Sequence, residues 1–174
     1  MVEVFQTLIQ NRRSIRAFTQ EKVDKETQER LAQALLLAPS SRNRNPHSFL
    51  FVTDTNILKR LSGAKEHGSG FLANASLGVV VYADPQKSDV WIEDASIAAA
   101  YLLLAAETEG LGACWIQIRN RTASDGVSSE EKVRKICGLK DDTRVDSIIA
   151  LGHPAEHPAA HNLPKGVDKR ISYL

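Results

Sequence analysis

Residues Ala95 to Ala106 are apolar or aromatic at every position except Ser96, within a stretch from Trp91 to Glu109 that holds no glycine or proline. A helix can be apolar all round only where protein surrounds it. The segment is therefore expected to be a central helix around which the other layers are built, with a partner chain supplying some of the cover. Gly110 and Gly112 follow it in the manner of C-terminal caps. It falls far short of the ~20 apolar residues that span a bilayer, so the expectation is a buried helix and not a membrane anchor.

Around that helix the pattern alternates irregularly. Val4, Phe5, Leu8 and Ile9 lie at helical spacing, and Asp24 can cap a second helix with Leu31, Ala34, Leu35 and Ala38 on one face. Pro39 stops it, and a polar loop runs to Pro46. Strands are predicted at 48–53, 77–82, 113–118 and 145–151, and a short helix at 56–61. Gly68-Ser69-Gly70 reads as a turn, and Ser128-x-x-Glu131 as a capping box opening another helix. Beyond Gly152, Pro154, Pro158 and Pro164 mark an extended tail whose Leu163, Val167, Ile171, Tyr173 and Leu174 call for a docking surface. One domain over 1–174 is expected. Its class is α+β, a three-layer α/β/α-like arrangement with a small mixed or antiparallel sheet flanked by helices.

Composition narrows the function. With 22 basic and 21 acidic residues the formal net charge is +1, so no global field recruits nucleic acid or an acidic membrane. The first residues lack a signal-peptide pattern, and a cytoplasmic location is expected. Cys114 and Cys137 both sit beside apolar residues and read as structural thiols. His153, His157 and His161 have helical metal-ligand spacing, but Pro154 and Pro158 oppose the helix they would need, so no metal is expected. No G-x-S-x-G elbow, dinucleotide fingerprint or P-loop is present, which points to a cofactor as the source of any chemistry.

One run is chemically dense. Arg12-Arg13-Ser14-Ile15-Arg16 places three guanidinium groups and a hydroxyl directly after the first helix, and Ser40-Ser41-Arg42-Asn43-Arg44-Asn45 adds hydroxyls and amides between two prolines. Guanidinium forks can each bond two phosphate oxygens, and amides can read a heterocycle edge. Alternatively, the Arg12–Arg16 run is a solvated, salt-bridged segment just after a helix.

Four marks in order resemble the FMN-dependent nitroreductase family. They are Arg12–Phe18, Pro39–Phe49, Asp94 with the helix running on to Gly110-Leu111-Gly112-Ala113-Cys114-Trp115-Ile116, and Leu151–Glu156. The resemblance implies a homodimer with two FMN molecules at its interface and a C-terminal tail docked on the partner. It implies hydride transfer from NADH or NADPH to the flavin N5, then reduction of a nitroaromatic, quinone or related small aromatic acceptor in a ping-pong cycle. By motif position, Arg12, Ser14 and Arg16, with Arg13 adjacent, would hold the phosphate and the pyrimidine side. Pro39, Ser40, Ser41, Asn43 and Asn45 of the other subunit would line the ring and ribityl chain. Ile116 and Gln117 would pass the reactive edge, with a backbone N–H near Gln117 or Ile118 facing N5. Trp91 and the face of Ala95–Ala106 would contribute to the dimer contact.

His47 stands where an aromatic residue often follows the proline, and the chain is short for the family. A phosphate contact from the tail has four candidates: His161, Lys165, Lys169 and Arg170. Arg119 and Arg121 have no assigned role. Two other readings remain at this stage: a flavoenzyme of the same fold with other chemistry (dehalogenation, dehydrogenation or flavin fragmentation), and a non-catalytic nucleotide- or RNA-binding module.

Overall fold

The computed structural model describes residues 2–162 and 170–174. Helix α1 spans Val2–Asn11 and α2 spans Lys25–Leu36, where Asp24 caps as expected by accepting the Thr27 backbone N–H at 2.8 Å. Strand β1 is His47–Val52, α3 is Thr55–Ser62, β2 is Leu77–Ala83 and α4 is Trp91–Thr108. Strand β3 is Gly112–Gln117, α5 is Ser129–Cys137 and β4 is Arg144–Gly152. Two 3-10 turns, Ser41–Asn43 and Gly70–Asn74, complete the described elements.

The strands lie in the order β1-β2-β4-β3, every neighbouring pair antiparallel. Helices α2 and α4, with α1 packed on α4, cover one face, and α3 and α5 cover the other. This is the three-layer α+β architecture expected. Strand β2 is central and buried on both faces: Leu77, Val79 and Val81 point toward α4, while Val80 points toward α3. Ala95, Ala98, Ala99 and Ala106 let α4 lie close to the sheet, with Leu102 and Leu35 filling the gaps.

Several local expectations differ. Gly110 does adopt a left-handed φ of 69°, but Gly112 is the first residue of β3 and caps nothing. It is needed for close approach, because a Cβ there would stand 2.6 Å from Ile15 Cγ2. Ser128 precedes α5 without any side-chain capping bond, and Glu131 instead pairs with Lys135 one turn on, at 2.6 Å. The α5 helix is secured through Glu130, whose carboxylate takes both Nε and Nη2 of Arg144 at 2.8 and 2.9 Å.

The central helix is largely covered by its own chain. Trp91 is sealed under the Arg144 guanidinium, 5.6 Å from the ring centroid, and so does not face outward as expected. The large apolar side chains that α4 leaves outside are Ile97 and Tyr101, 41% and 40% exposed. The apolar stripe of α1 is also open: Val4, Phe5 and Ile9 are all exposed. Among the described residues no helix is long and apolar enough to cross a membrane.

Candidate cofactor site

The arginine run forms an extended arm along the open edge of the sheet. Ser14 bridges Ala113 in parallel, and the Ile15 N–H donates to the Ala113 carbonyl at 3.0 Å. Further on, the arm pairs with the chain just after β4: the Thr19 N–H donates to His153 O at 2.9 Å, and the Ala155 N–H to Ala17 O at 2.9 Å. Between these two anchors the Glu156 carboxylate accepts the backbone N–H groups of Arg16 and Ala17, which hold its carboxyl below the usual range. Glu156 thus fixes the arm without spending an arginine side chain.

In an extended chain, alternate side chains face opposite sides. Arg12, Ser14 and Arg16 share one side, with Cys114 at its centre. Burial pushes that thiol up, against the opposing pull of the Arg16 charge, a hydrogen bond with Ser14 and the Arg12 charge. Arg16 also lies over the Phe71 ring, 5.8 Å from its centroid. Arg13 turns the other way. With Ile15 it lines a cleft of about 220 Å3 against Glu107, Gly110 and Leu111, and its guanidinium bonds the Ala159 carbonyl. The structure therefore separates Arg13 from the other two arginines of the run.

The backbone of β3 adds donors of its own. It is an edge strand, and Gly112, Cys114 and Ile116 are the residues whose amides meet β4. Ala113, Trp115 and Gln117 consequently direct their N–H and C=O groups outward. The arm covers Ala113 only; among the described residues no backbone group pairs with the Trp115 or Gln117 N–H. Side chains steady this edge: Trp115 Nε1 donates to Gln117 Oε1 at 2.9 Å, and Gln117 Nε2 donates to Arg119 O at 3.1 Å. The Gln117 amide is thus spent within the chain, and Ile116 is buried on the α3 side, so what this segment leaves open is its outward N–H groups. The Ile118 and Arg119 N–H groups already bond Asp146 O, at 3.2 and 3.0 Å.

The second polar run is a tightly wound loop. Arg42, Asn43 and Asn45 take left-handed φ values of 53°, 54° and 45°. Asparagine tolerates this region; for arginine it is uncommon. The loop is closed by its own side chains: Ser40 Oγ accepts the Asn45 N–H and donates to Asn45 Oδ1, both at 3.0 Å, and Asn45 Nδ2 donates to Asn43 O at 3.1 Å. Ser40 and Asn45 build the loop, whereas Pro39, Arg42 and Asn43 are displayed at its surface. Beside it Leu37, Pro39, Asn43, Asn45, His47 and Phe49 line a cavity of about 680 Å3. Burial lowers the His47 pKa, against the nearby Asp94 charge.

The two runs do not meet within one chain. The Ser41 N–H bonds Asp94 in the first turn of α4, while Arg13 lines a cleft with Glu107 in its last. From residue 94 to residue 107 the helix rises on the order of 20 Å. Among the proposed tail contacts, His161 donates its N–H to Gln10 O at 2.8 Å; Lys165 and Lys169 lie outside the described residues.

The chain matches the Nitroreductase family over residues 9–67 and 63–153. It belongs to that family. An FMN-dependent nitroreductase from Clostridium difficile R20291 is 41% identical and superimposes with a TM-score of 0.87, covering 89% of this chain and 90% of that one. A relative from Archaeoglobus fulgidus, named NADH dehydrogenase/NAD(P)H nitroreductase, is 35% identical over 153 residues, covering 86% of this chain and 84% of its own. A structure from Desulfovibrio desulfuricans in complex with FMN is 26% identical with a TM-score of 0.75, covering 91% of each chain. The chain is an NAD(P)H-dependent oxidoreductase of this family.

Phe71, Cys114 and Glu156 contact the arm and Asp94 holds the loop, and none of the four was singled out for this from sequence. Asp94, Cys114 and Glu156 fall within the family-like marks, where none of the three had a role, and Phe71 had no signal at all.

Proposed function

We propose that the protein is a homodimeric FMN-dependent oxidoreductase that takes hydride from NADH or NADPH and reduces nitroaromatics, quinones or related small acceptors by a ping-pong mechanism. The observation that carries this reading is the uncovered edge of β3, where the outward N–H groups of Trp115 and Gln117 run on from an arm presenting Arg12, Ser14 and Arg16. The donor set fits a flavin mononucleotide: cations and a hydroxyl for a phosphate monoester, then a row of neutral N–H groups for a ring.

In this reading Arg12, Arg16 and Ser14 hold the phosphate and the pyrimidine side, with Arg13 bracing the arm through the tail. Bound FMN supplies the hydride-accepting and electron-donating ring that no set of side chains here provides. A backbone N–H of β3 donates to the ring without any titratable group, so no acid–base pair is required at that edge. A cation at the pyrimidine side favours the negative charge gained on reduction. From a second subunit, Pro39, Ser40, Ser41, Asn43 and Asn45 complete the other wall, since in one chain that loop lies too far from the arm. The outward Ile97 and Tyr101 of α4, with the open stripe of α1, give two subunits an apolar reason to meet.

The test is direct. Purified protein titrated with FMN should bind it and quench its fluorescence, and stopped-flow mixing with NADH or NADPH should bleach the bound flavin rapidly. Steady-state turnover against nitroaromatics and quinones then ranks the acceptors. A protein that takes up no FMN sinks the reading. One that binds FMN but is bleached by neither nicotinamide keeps the cofactor and loses the proposed chemistry.

A further inference from the structure

We propose that Asp94 is a positioning residue: it clamps the Ser40–Asn45 loop in the shape that faces flavin, a role that rests on the reading above. Asp94 sits in the first turn of α4 and is 2% exposed. Its Oδ1 accepts the Ser41 N–H at 2.7 Å and its Oδ2 accepts the hydroxyl of buried Ser88 at 3.0 Å. Both oxygens are thus taken by the protein, and one of them reaches the loop across 53 residues of sequence. The carboxylate is not needed to cap the helix, because it lies inside the first turn, where a negative charge is favoured by the helix dipole.

The loop needs an external hold. Three of its non-glycine residues are left-handed, and such conformations persist only where the surroundings over-determine them. The Ser40–Asn45 bonds close the loop on itself; they give it a shape and no location. At its far end Pro46 O accepts the Asp84 N–H at 3.0 Å, and Arg44 Nη1 reaches Lys87 O at 3.3 Å. At its near end Asp94 holds the Ser41 N–H through a charge-assisted bond of the stronger class. The same helix turns Ile97 and Tyr101 outward. The clamp is therefore built on the element that meets a second subunit, which sets the loop's place relative to that subunit's arm.

The experiment compares FMN affinity, turnover and oligomeric state of the full-length parent with Asp94→Asn, Asp94→Ala and Ser41→Pro. Asn keeps one acceptor oxygen, whereas Ala keeps none. Pro removes the donor from the other side, and Ser40, at φ −134° and ψ 156°, already has the extended conformation that a residue before proline requires. The expected losses of FMN affinity are about 10-fold for Asn and about 100-fold for Ala. With every site filled at high FMN, bleaching of the two Asp94 variants by nicotinamide should stay within about threefold of the parent, the split expected of a group that positions and does not react. Combined with Ser41→Pro, Asp94→Asn should add nothing further. Hydrogen exchange at the Ser41 amide, slow in the parent, should become fast in Asp94→Ala.

If the parent binds FMN and the Asp94 variants match it, the positioning role is overturned and the flavin reading stands. Additive effects of Ser41→Pro and Asp94→Asn overturn it too, since the two groups would then act separately. A parent that binds no FMN overturns both. Should Asp94→Ala fail to fold, the near-isosteric Asn variant and Ser41→Pro decide.

Discussion

The arm at Arg12–Arg16 and the loop at Ser40–Asn45 carry similar residues and are built in opposite ways. The arm is relaxed and extended, held through backbone bonds to Ala113, His153 and Glu156, so its arginine and serine side chains at 12, 14 and 16 are available to a ligand. The loop is strained, and it spends Ser40 and Asn45 on its own shape. In the proposed site, one wall works by charge and the other by form. The charge-based wall should weaken with salt, whereas the shaped wall should not.

The largest effect is expected when each wall is damaged in a different subunit. Arg16→Ala and Asn43→Ala homodimers should each bind FMN about 10- to 100-fold more weakly. A mixed dimer of one Arg16→Ala and one Asn43→Ala subunit should regain one full-affinity site of the two, read by titration stoichiometry. If both walls came from one chain, the mixed dimer would regain none.

A smaller effect tests how the arm is seated. Gly112→Ala drives a methyl into Ile15, and overpacking of this kind costs about 1–3 kcal/mol. Urea unfolding should show that loss, and Gly112→Ala combined with Ile15→Ala should recover part of it along with FMN binding. No recovery would mean that the arm does not depend on this contact.

Two buried aspartates sharpen the point from another side. Asp94 and Asp146 are equally hidden, at 2% exposure, yet Asp94 has both oxygens bonded while Asp146 Oδ2 has no partner among the described residues. Burial pushes the Asp146 carboxyl up to about 6, with Ser147 and Arg119 pulling the other way. A carboxyl whose pKa is raised by folding stabilises fully below its unfolded value near 4, and that contribution is lost as the pH rises through about 6. Unfolding between pH 4 and 8 should show a decline on the order of 2 kcal/mol that Asp146→Asn flattens. A slope that survives the substitution would assign it to another group. Smallest of all, Ser40→Ala should cost about 1 kcal/mol and weaken FMN only a few-fold, because Ser40 shapes the loop from within.

The sequence was most legible where the physics is local. Asp24 caps what its position suggested, the apolar run 77–82 is a strand covered on both faces, and the Ala-rich stretch is the central helix. Ser128 shows the limit of local patterns, since a capping box was present in letters and absent in bonds. Gly112 resembled a cap because Gly110 stands two residues before it; its purpose is set by Ile15, nearly a hundred positions away. Trp91 belonged to a helix correctly read as needing cover, but the cover comes from Arg144. Glu156 and Asp94 act on backbone N–H groups distant in sequence, and a carboxylate that serves a remote amide leaves no periodicity or spacing to find. Arg13 could be told from Arg12 and Arg16 only once the arm was known to be extended, with its sides fixed by Ala113.

In the proposed dimer, joined through the outward stripe of Ile97 and Tyr101, turnover is a property of the population and not of the individual molecule. If each site needs the arm of one subunit and the loop of another, dilution below the dimer's dissociation constant removes catalysis without unfolding any chain. Specific activity should then fall with enzyme concentration, and added FMN, by bridging the walls, should hold the pair together and shift that fall to lower concentration.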